Sequence, residues 1–446
     1  MTSPTDATAP GTVPAAARLN VRQAAFIGVG AMVGAGIFSL LGAAGEVAGA
    51  AVWVSFLLAG TVAILQGYSF AKFGSRYPSA GGMLEYVRQG FGDGHITGVI
   101  AWLLLGANAI ITGMVAVSFG SYASGAATDG SENWAKVFAV AVVLVMTALN
   151  IVGSQAVARV QTLVVVVVIG ILSIFAVSTI STIDADLLAV STYPSIADII
   201  ASVALTFFAF LGFGVITFTA KDLSNPAKQL PRAVYLALGI ATTIYVAVAL
   251  GVFGTLTVAE VIASGGTALA VAAEPTLGRA GYWMMTVTAL FATSGATNAG
   301  LYPAKGLCEE MTSTRQFPPV MGSLVGGRAA FGLVGTAVAA SLLAVFFDLS
   351  AIASIGSVIA LMVFTLITVG HIRVRSETGA SIVMLAIAVT TTVGVLVAFV
   401  FTTLVNEPET AVMLVAITTG SVVVDAVWKR RRDGATGSGR ELAPQV

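Results

Sequence analysis

The chain has 446 residues, with 21 basic against 21 acidic side chains; 57% of its residues are hydrophobic and only 9% are charged. At a mean hydropathy of +0.95, no soluble fold has enough polar surface to cover this much apolar area, so the composition describes an integral membrane protein. A single cysteine, Cys308, and two histidines, His95 and His371, leave no internal disulfide and no Cys- or His-rich metal site, and no cofactor is expected.

Residues 1–20 are rich in Thr, Pro and Ala and lack a basic segment followed by an apolar core, so they read as a disordered tail and not as a cleaved leader. Apolar stretches then follow at 24–47, 50–72, 96–126, 134–153, 157–181, 197–219, 233–256, 281–307, 329–347, 350–370, 380–403 and 409–428. Each is close to the length of about 20 residues that crosses a bilayer core as a helix, and the alternating polarity of a membrane barrel is absent. The loops between them are short. "FGSRYPSAGGMLEYVRQGFG", after the second stretch, is amphipathic, and "VAEVIASGGTALAVAAEPTLG", after the seventh, has room for a short capping helix. With the N-terminus inside, 19 of the 21 basic residues fall on the cytoplasmic side, and only Lys136 and Arg279 fall outside. That asymmetry predicts an even number of spans with both termini cytoplasmic. The run Lys429 to Arg432, which opens a basic tail at 429–446, reads as a stop and lipid-headgroup anchor rather than a nucleic-acid patch.

The first span contains "GVGAMVGAGIF", Gly28 to Phe38. A dinucleotide site would need a strand before these glycines and an acidic residue about 20 positions later, and neither is present. Gly30 and Gly34 form a GxxxG pair, which brings helices into close contact. Gly34, Ala35 and Gly36 also weaken a helix and uncover its amides, so a break is a second reading. Five spans later, "TFFAFLGFGVITF" carries Gly212 and Gly214 in the same manner. A displacement of five spans reverses membrane orientation, and paired interruptions in two inverted halves point to a transporter site. Bare backbone at membrane depth is tolerated where it lines a cavity: amides at the start of a half-helix suit a carboxylate, and freed carbonyls suit an ammonium.

Four segments carry a resemblance to a known family: "GAMVGAGIF" in the first span, "RYPSAGGMLEYVRQGFG" after the second, "LNIVGSQAVARVQ" entering the fifth, and "FFAFLGFGVITFTAKDLSNPAKQLPRAV" in and after the sixth. In this order they resemble the amino acid–polyamine–organocation family of permeases. The resemblance implies an all-α integral membrane protein of about 12 transmembrane helices with a LeuT-like 5+5 inverted repeat, here 21–182 and 183–371. Two further helices at 372–428 complete it. It also implies alternating-access transport across the plasma membrane, and a substrate carboxylate held by the backbone of Val33, Gly34, Ala35, Gly36 and Ile37. The amine would meet the backbone from Phe210 through Gly212 and Phe213 to Gly214, under an aromatic lid that falls on Phe208. Where many relatives have an acidic residue after the "GF" of the sixth span, this chain has Gly214, which disfavours cationic side chains. Where some proton-coupled relatives carry a fifth-span lysine, it has Val168. After the sixth span "AKDLSNP" stands where an acidic pair is more usual, which makes Lys221 and Asp222 candidates for an inner-gate contact.

No ionisable residue falls near the middle of a span; Glu46 lies toward the outer end of the first, and Asp425 pairs by spacing with Lys429 on an interfacial helix face. Asn108 in span three is a candidate cavity residue. Span eight bears two polar stripes, Thr293 with Thr297 and Ser294 with Asn298, which either join an ion site or bond to their own backbone. Tyr302 and Pro303 are expected to end or kink that span. The reading is therefore a secondary transporter of amino acids, most simply neutral ones, with a small-molecule substrate, the lipid bilayer as its surroundings and no obligate protein partner. The coupling ion, proton or sodium, is left open. Another small solute or a cation on the same fold is the alternative, and no HExxH, GxSxG or membrane aspartate pair supports an enzyme.

Overall fold

The computed structural model describes residues 19–79, 81–128, 130–152, 155–327, 329–405 and 408–438. Most of the expected N-terminal tail, the last eight residues, and Arg18, Arg328 and Arg440 lie outside the described residues, as do the side chains of Ala35, of 155–161, of 403–404 and of 433–438.

The first expected span is divided. Helix α1 (Val21–Ala35) opens on a capping box in which the Asn20 side chain accepts from the Gln23 amide at 2.9 Å and the Asn20 amide donates back at 3.0 Å. It stops at Gly36, whose φ of −101° and ψ of −80° are not helical, and α2 (Ile37–Ala48) resumes beyond it. Then come α3 (Val52–Arg76), the amphipathic α4 (Met83–Phe91), α5 (His95–Ala127), α6 (Glu132–Val152) and α7 (Gln155–Thr179). The sixth expected span is also interrupted: α8 (Ile196–Phe207) passes into tight 3₁₀ turns over Phe208–Gly214 before the single turn α9 (Val215–Phe218). Next are α10 (Pro226–Phe253), α11 (Val258–Ser264), and α12 (Ala268–Ser313), which is bent at Gly278, where φ is +67°. A two-residue hairpin, β1 (Leu324–Val325) with β2 (Ala329–Ala330), precedes α13 (Phe331–Phe346), α14 (Leu349–Thr378), α15 (Ile382–Phe399) and α16 (Pro408–Ser438).

Among the described residues, nine stretches are long and apolar enough to cross a membrane. The three expected spans beyond these are the divided α1–α2, the 281–307 portion of α12, and the 16-residue α13. The protein is thus an all-α, multi-pass membrane protein. Large apolar side chains such as Leu144, Phe346, Phe401 and Val412 stand exposed on its outer helices, where lipid replaces water.

One group of helices, α1, α3, α8 and α10, packs around the two interruptions; a second, α5, α6, α12 and α13, faces it; α7 and α14 touch both. Polar groups inside are satisfied in a network that joins α3, α14 and α15. Gln66 accepts from Thr368 at 2.6 Å and donates to the Ala388 carbonyl at 3.2 Å, and Thr365 reaches Thr392 at 2.9 Å. The same α3–α14 seam holds His371, whose Nδ1 lies 2.9 Å from Ser69 Oγ and whose ring stacks on Phe73 at 4.0 Å.

One expectation needs correction and another is extended. Pro303 does not end the eighth span, because the helix continues to Ser313 with Gly278 its one non-helical residue. Asp425 pairs with Lys429 as the spacing predicts, at 3.1 Å, and its surroundings go further: its side chain is fully buried, and its other oxygen lies 2.7 Å from His95 Nδ1 on α5. The close approach of α16 to Gly98 of α5 removes both charges from solvent, which helical spacing within α16 alone does not reveal.

Candidate functional site

The two interruptions touch. A Cβ on Gly36 would lie 2.5 Å from Ala209 Cβ and 2.9 Å from the Tyr245 hydroxyl; one on Gly212 would lie 2.5 Å from the Met32 amide nitrogen. Real Cβ atoms do not come this close, so each glycine is present because the other span's backbone occupies the space. Tyr245 of α10 fastens the junction by donating to the Ala209 carbonyl at 3.1 Å. On the opposite flank, Gly34 lies against the Ala292 carbonyl of α12. Of the GxxxG pair, Gly34 serves close packing, and Gly36 marks the interruption.

Just beside the junction is a cavity of about 40 Å³ lined by Ala31, Asn108, Gly212, Val215, Ala296, Gly300 and Pro303, with Met83 of α4 entering from one end. It is far smaller than the few hundred Å³ typical of ligand sites, so the two interruptions stand here around a closed centre. Asn108 is its one side chain with an amide. Pro303, inside α12, offers no N–H to the Ala299 carbonyl, and Ala299 lines the same cavity. A Cβ on Gly214 would meet Met83 Cε and Sδ, both at 3.0 Å. The place where relatives carry an acid is thus bordered by a thioether.

The other residues named from the sequence divide by direction. Val33 and Gly34 face Val164, Val165 and Val168 of α7, together with Ala292, across a gap of about 10 Å³, so Val168 does stand opposite the first interruption. Ile37 is fully buried at the start of α2. Phe210 packs edge-on to Tyr245 at 5.2 Å, and Phe213 packs on Phe70 and Phe364 at 5.3 and 5.4 Å. Phe208 turns the other way and packs where a Gly356 Cβ would be 2.5 Å from its ring, beside Ile110 of α5. Thr293 and Thr297 are buried and donate to their own helix at 2.6 and 2.9 Å. Ser294 donates to the Phe291 carbonyl at 2.9 Å, and Asn298 accepts from Asn150 of α6 at 2.6 Å. Asn298 therefore faces α6, while Ser294 bonds to its own helix.

A vestibule of about 720 Å³ lies at the end of the spans away from most basic residues. It is lined by Gly42, Glu46, Gly266, Asp348, Ile355 and Glu409 among others. Its Ile355 directly precedes Gly356, the residue against which the Phe208 ring packs. The basic end is closed. Leu19 donates its amide to the Asp222 carbonyl at 2.9 Å, so contact at the exit of the sixth span runs through backbone, while the Lys221 and Asp222 side chains are exposed. Arg88 of α4 reaches Asp93 at 3.0 Å, Glu85 at 3.2 Å and Glu310 of α12 at 3.4 Å. The Asp93 hydrogen bond, with the charges of Asp93, Glu85 and Glu310, raises the Arg88 pKa above its ordinary value against the opposing effect of partial burial.

Sequence reasoning passed over Met83, Val215, Ala296 and Gly300. Alanines, glycines and a methionine carry no signal of their own, and only the approach of α4 and α12 assembles them. Among the described residues no cluster of His, Cys, Asp and Glu is placed to hold a metal.

Residues 19–427 match the family model described as amino acid permease. The chain is 31% identical over 408 residues to the inner membrane transport protein YbaT of Escherichia coli, covering 91% of this chain and 95% of that one. It is 26% identical to the serine/threonine exchanger SteT of Bacillus subtilis, over 65% of this chain and 67% of the relative. A vacuolar cationic amino acid transporter of Arabidopsis thaliana is 27% identical over 80% of this chain and 59% of its own length.

Proposed function

Because the chain belongs to the amino acid permease family, within the amino acid–polyamine–organocation transporters, we propose that it moves neutral amino acids across the plasma membrane by alternating access. In this reading the basic end is cytoplasmic, both termini lie inside, and the vestibule opens outward. The α1–α7 and α8–α14 segments act as two inverted repeats.

The observation that carries the reading is the contact of two interrupted spans through bare backbone, Gly36 on Ala209 and Gly212 on Met32. The α2 half-helix begins at Ile37 with its positive end toward this junction, the arrangement that suits a carboxylate. Carbonyls in the 208–214 turns are the counterpart for the ammonium. The side chain of the substrate enters a space bordered by Gly214, Met83 and Val215, with no fixed charge among them, which favours neutral substrates. Phe208 is the lid between vestibule and centre. Asn108 is placed to hydrogen-bond the substrate, while Thr293 and Thr297 remain buried next to the α12 face that meets Gly34.

Counterflow tests this: purified protein in liposomes preloaded with one unlabelled amino acid at a time, followed by uptake of the same labelled compound. Exchange within a neutral group is expected, and silence across all amino acids overturns the reading. Phe208→Ala is expected to keep substrate binding but lose most transport; wild-type rates would place the lid elsewhere. Gly214→Glu, whose Cβ comes closest to the flexible tip of Met83, should bring lysine or arginine into exchange while weakening neutral substrates.

A second reading, a cationic substrate, draws on Glu46, Asp348 and Glu409 in the vestibule, where no described lining residue is basic, and on the Arabidopsis relative. Robust arginine or polyamine counterflow by the unaltered protein would favour it over the neutral one.

A further inference from the structure

A groove of about 300 Å³ runs along the membrane-facing surface between α5, α13 and α16. It is lined by Trp102, Gly106, Ala109, Gly335, Ile417 and Gly420 among others. Four glycines line it; Gly332 packs against Cys308, but a Cβ at Gly106, Gly335 or Gly420, one on each helix, would find no neighbouring atom within 4 Å. The groove is therefore an open trough, unlike the filled seams elsewhere. Its few hydroxyls are already used, Thr336 on the Gly332 carbonyl at 2.8 Å and Ser421 on the Ile417 carbonyl at 2.9 Å, so it presents an apolar floor. Trp102 forms one wall, stacked on Phe317 at 4.0 Å.

One end of the trough is charged. On α16 the lining residues Ile417, Gly420, Ser421 and Val424 follow one helical stripe, and the same stripe continues through Trp428 to Arg431. Trp428 donates its indole N–H to the Arg315 carbonyl at 3.2 Å, and Arg315 and Arg431 are both exposed. An apolar trough that opens toward lipid and ends at arginines beside a tryptophan matches one kind of occupant in both shape and charge.

We propose that this groove binds a phospholipid with an anionic headgroup, one acyl chain lying over Gly106, Gly335 and Gly420 and the headgroup at Arg431. An acyl chain fills space that would otherwise leave the lining atoms without contacts on one side. The lipid tethers α16 to α5 and α13 along their outer faces.

Native mass spectrometry of the full chain, equilibrated with equal phosphatidylglycerol and phosphatidylcholine, tests the site. One retained phosphatidylglycerol per chain is expected. Arg431→Gln leaves the trough intact and should lower the preference for phosphatidylglycerol about fivefold, the factor expected for one basic residue at a lipid surface. The pair Gly335→Leu with Gly420→Leu, whose Cβ atoms meet no protein atom within 4 Å, fills the trough and should remove the bound lipid altogether while elution stays monodisperse. An unaltered preference in Arg431→Gln, retention of the same lipid in the leucine pair, equal binding of phosphatidylcholine, or a second copy of the chain in place of lipid would each overturn the proposal. Should the leucine pair not fold, Arg431→Gln decides.

Discussion

Two sets of glycines in the same kind of apolar helix serve opposite ends. At the centre, Gly34, Gly36 and Gly212 are pressed against backbone of the neighbouring span, and any side chain there collides with it. On the periphery, Gly106, Gly335 and Gly420 face empty space. The central set brings two interruptions together and leaves polar backbone at membrane depth beside a cavity; the peripheral set leaves a trough open to lipid. A glycine in a membrane helix therefore announces a missing side chain, and what takes its place is decided by the neighbours.

The sharpest way to break this contrast is Gly36→Val, which drives a branched side chain into Ala209 and Tyr245. Overpacking of this kind costs about 3 kcal/mol, so a markedly lower melting temperature and no counterflow are expected. A variant that melts and transports as the parent does would remove the junction from the mechanism. Gly98→Ala comes next. Its Cβ would press on the Asp425 carboxylate and lie 2.9 Å from Lys429 Nζ, disturbing a buried ion pair. A loss of about 1–3 kcal/mol is expected on thermal melting, and an unchanged melt would mean that α16 simply moves aside. The smallest effect belongs to the periphery: Gly335→Ala should alter stability by less than about 1 kcal/mol, toward a gain, because alanine favours helix and meets nothing. A large loss there would show that the trough is normally closed and would merge the two sets.

Much of the fold was legible in the sequence because a bilayer allows few solutions. Runs of apolar residues must be helices that satisfy their own backbone, so the spans followed directly, while α4 and α11 were legible only as an amphipathic segment and as room for a short helix. The interruptions were legible as well, since "GAG" and "GFG" weaken helices wherever they occur. Their consequences were less so. That the second interruption takes 3₁₀ form over Phe208–Gly214, that Phe208 turns toward Gly356 while Phe210 and Phe213 pack away from it, and that Asn298 pairs with Asn150 all depend on which helix lies alongside. Pro303 shows the same limit from the other side. A proline suggested an end or a kink, yet α12 does not end there, and the residue lines the central cavity.

By itself the sequence determined that this protein crosses the membrane many times as helices, and that two of those helices are weakened at positions five spans apart. Both are properties of local composition and the bilayer's demand for paired backbone groups. Only the tertiary structure decided that the two weak points touch, that Met83 borders the position of the missing acid, that Asp425 is buried between His95 and Lys429, and that three glycines form an empty trough. Each is a contact between residues far apart in the chain, and apolar side chains of similar size read alike in a sequence until packing assigns them neighbours.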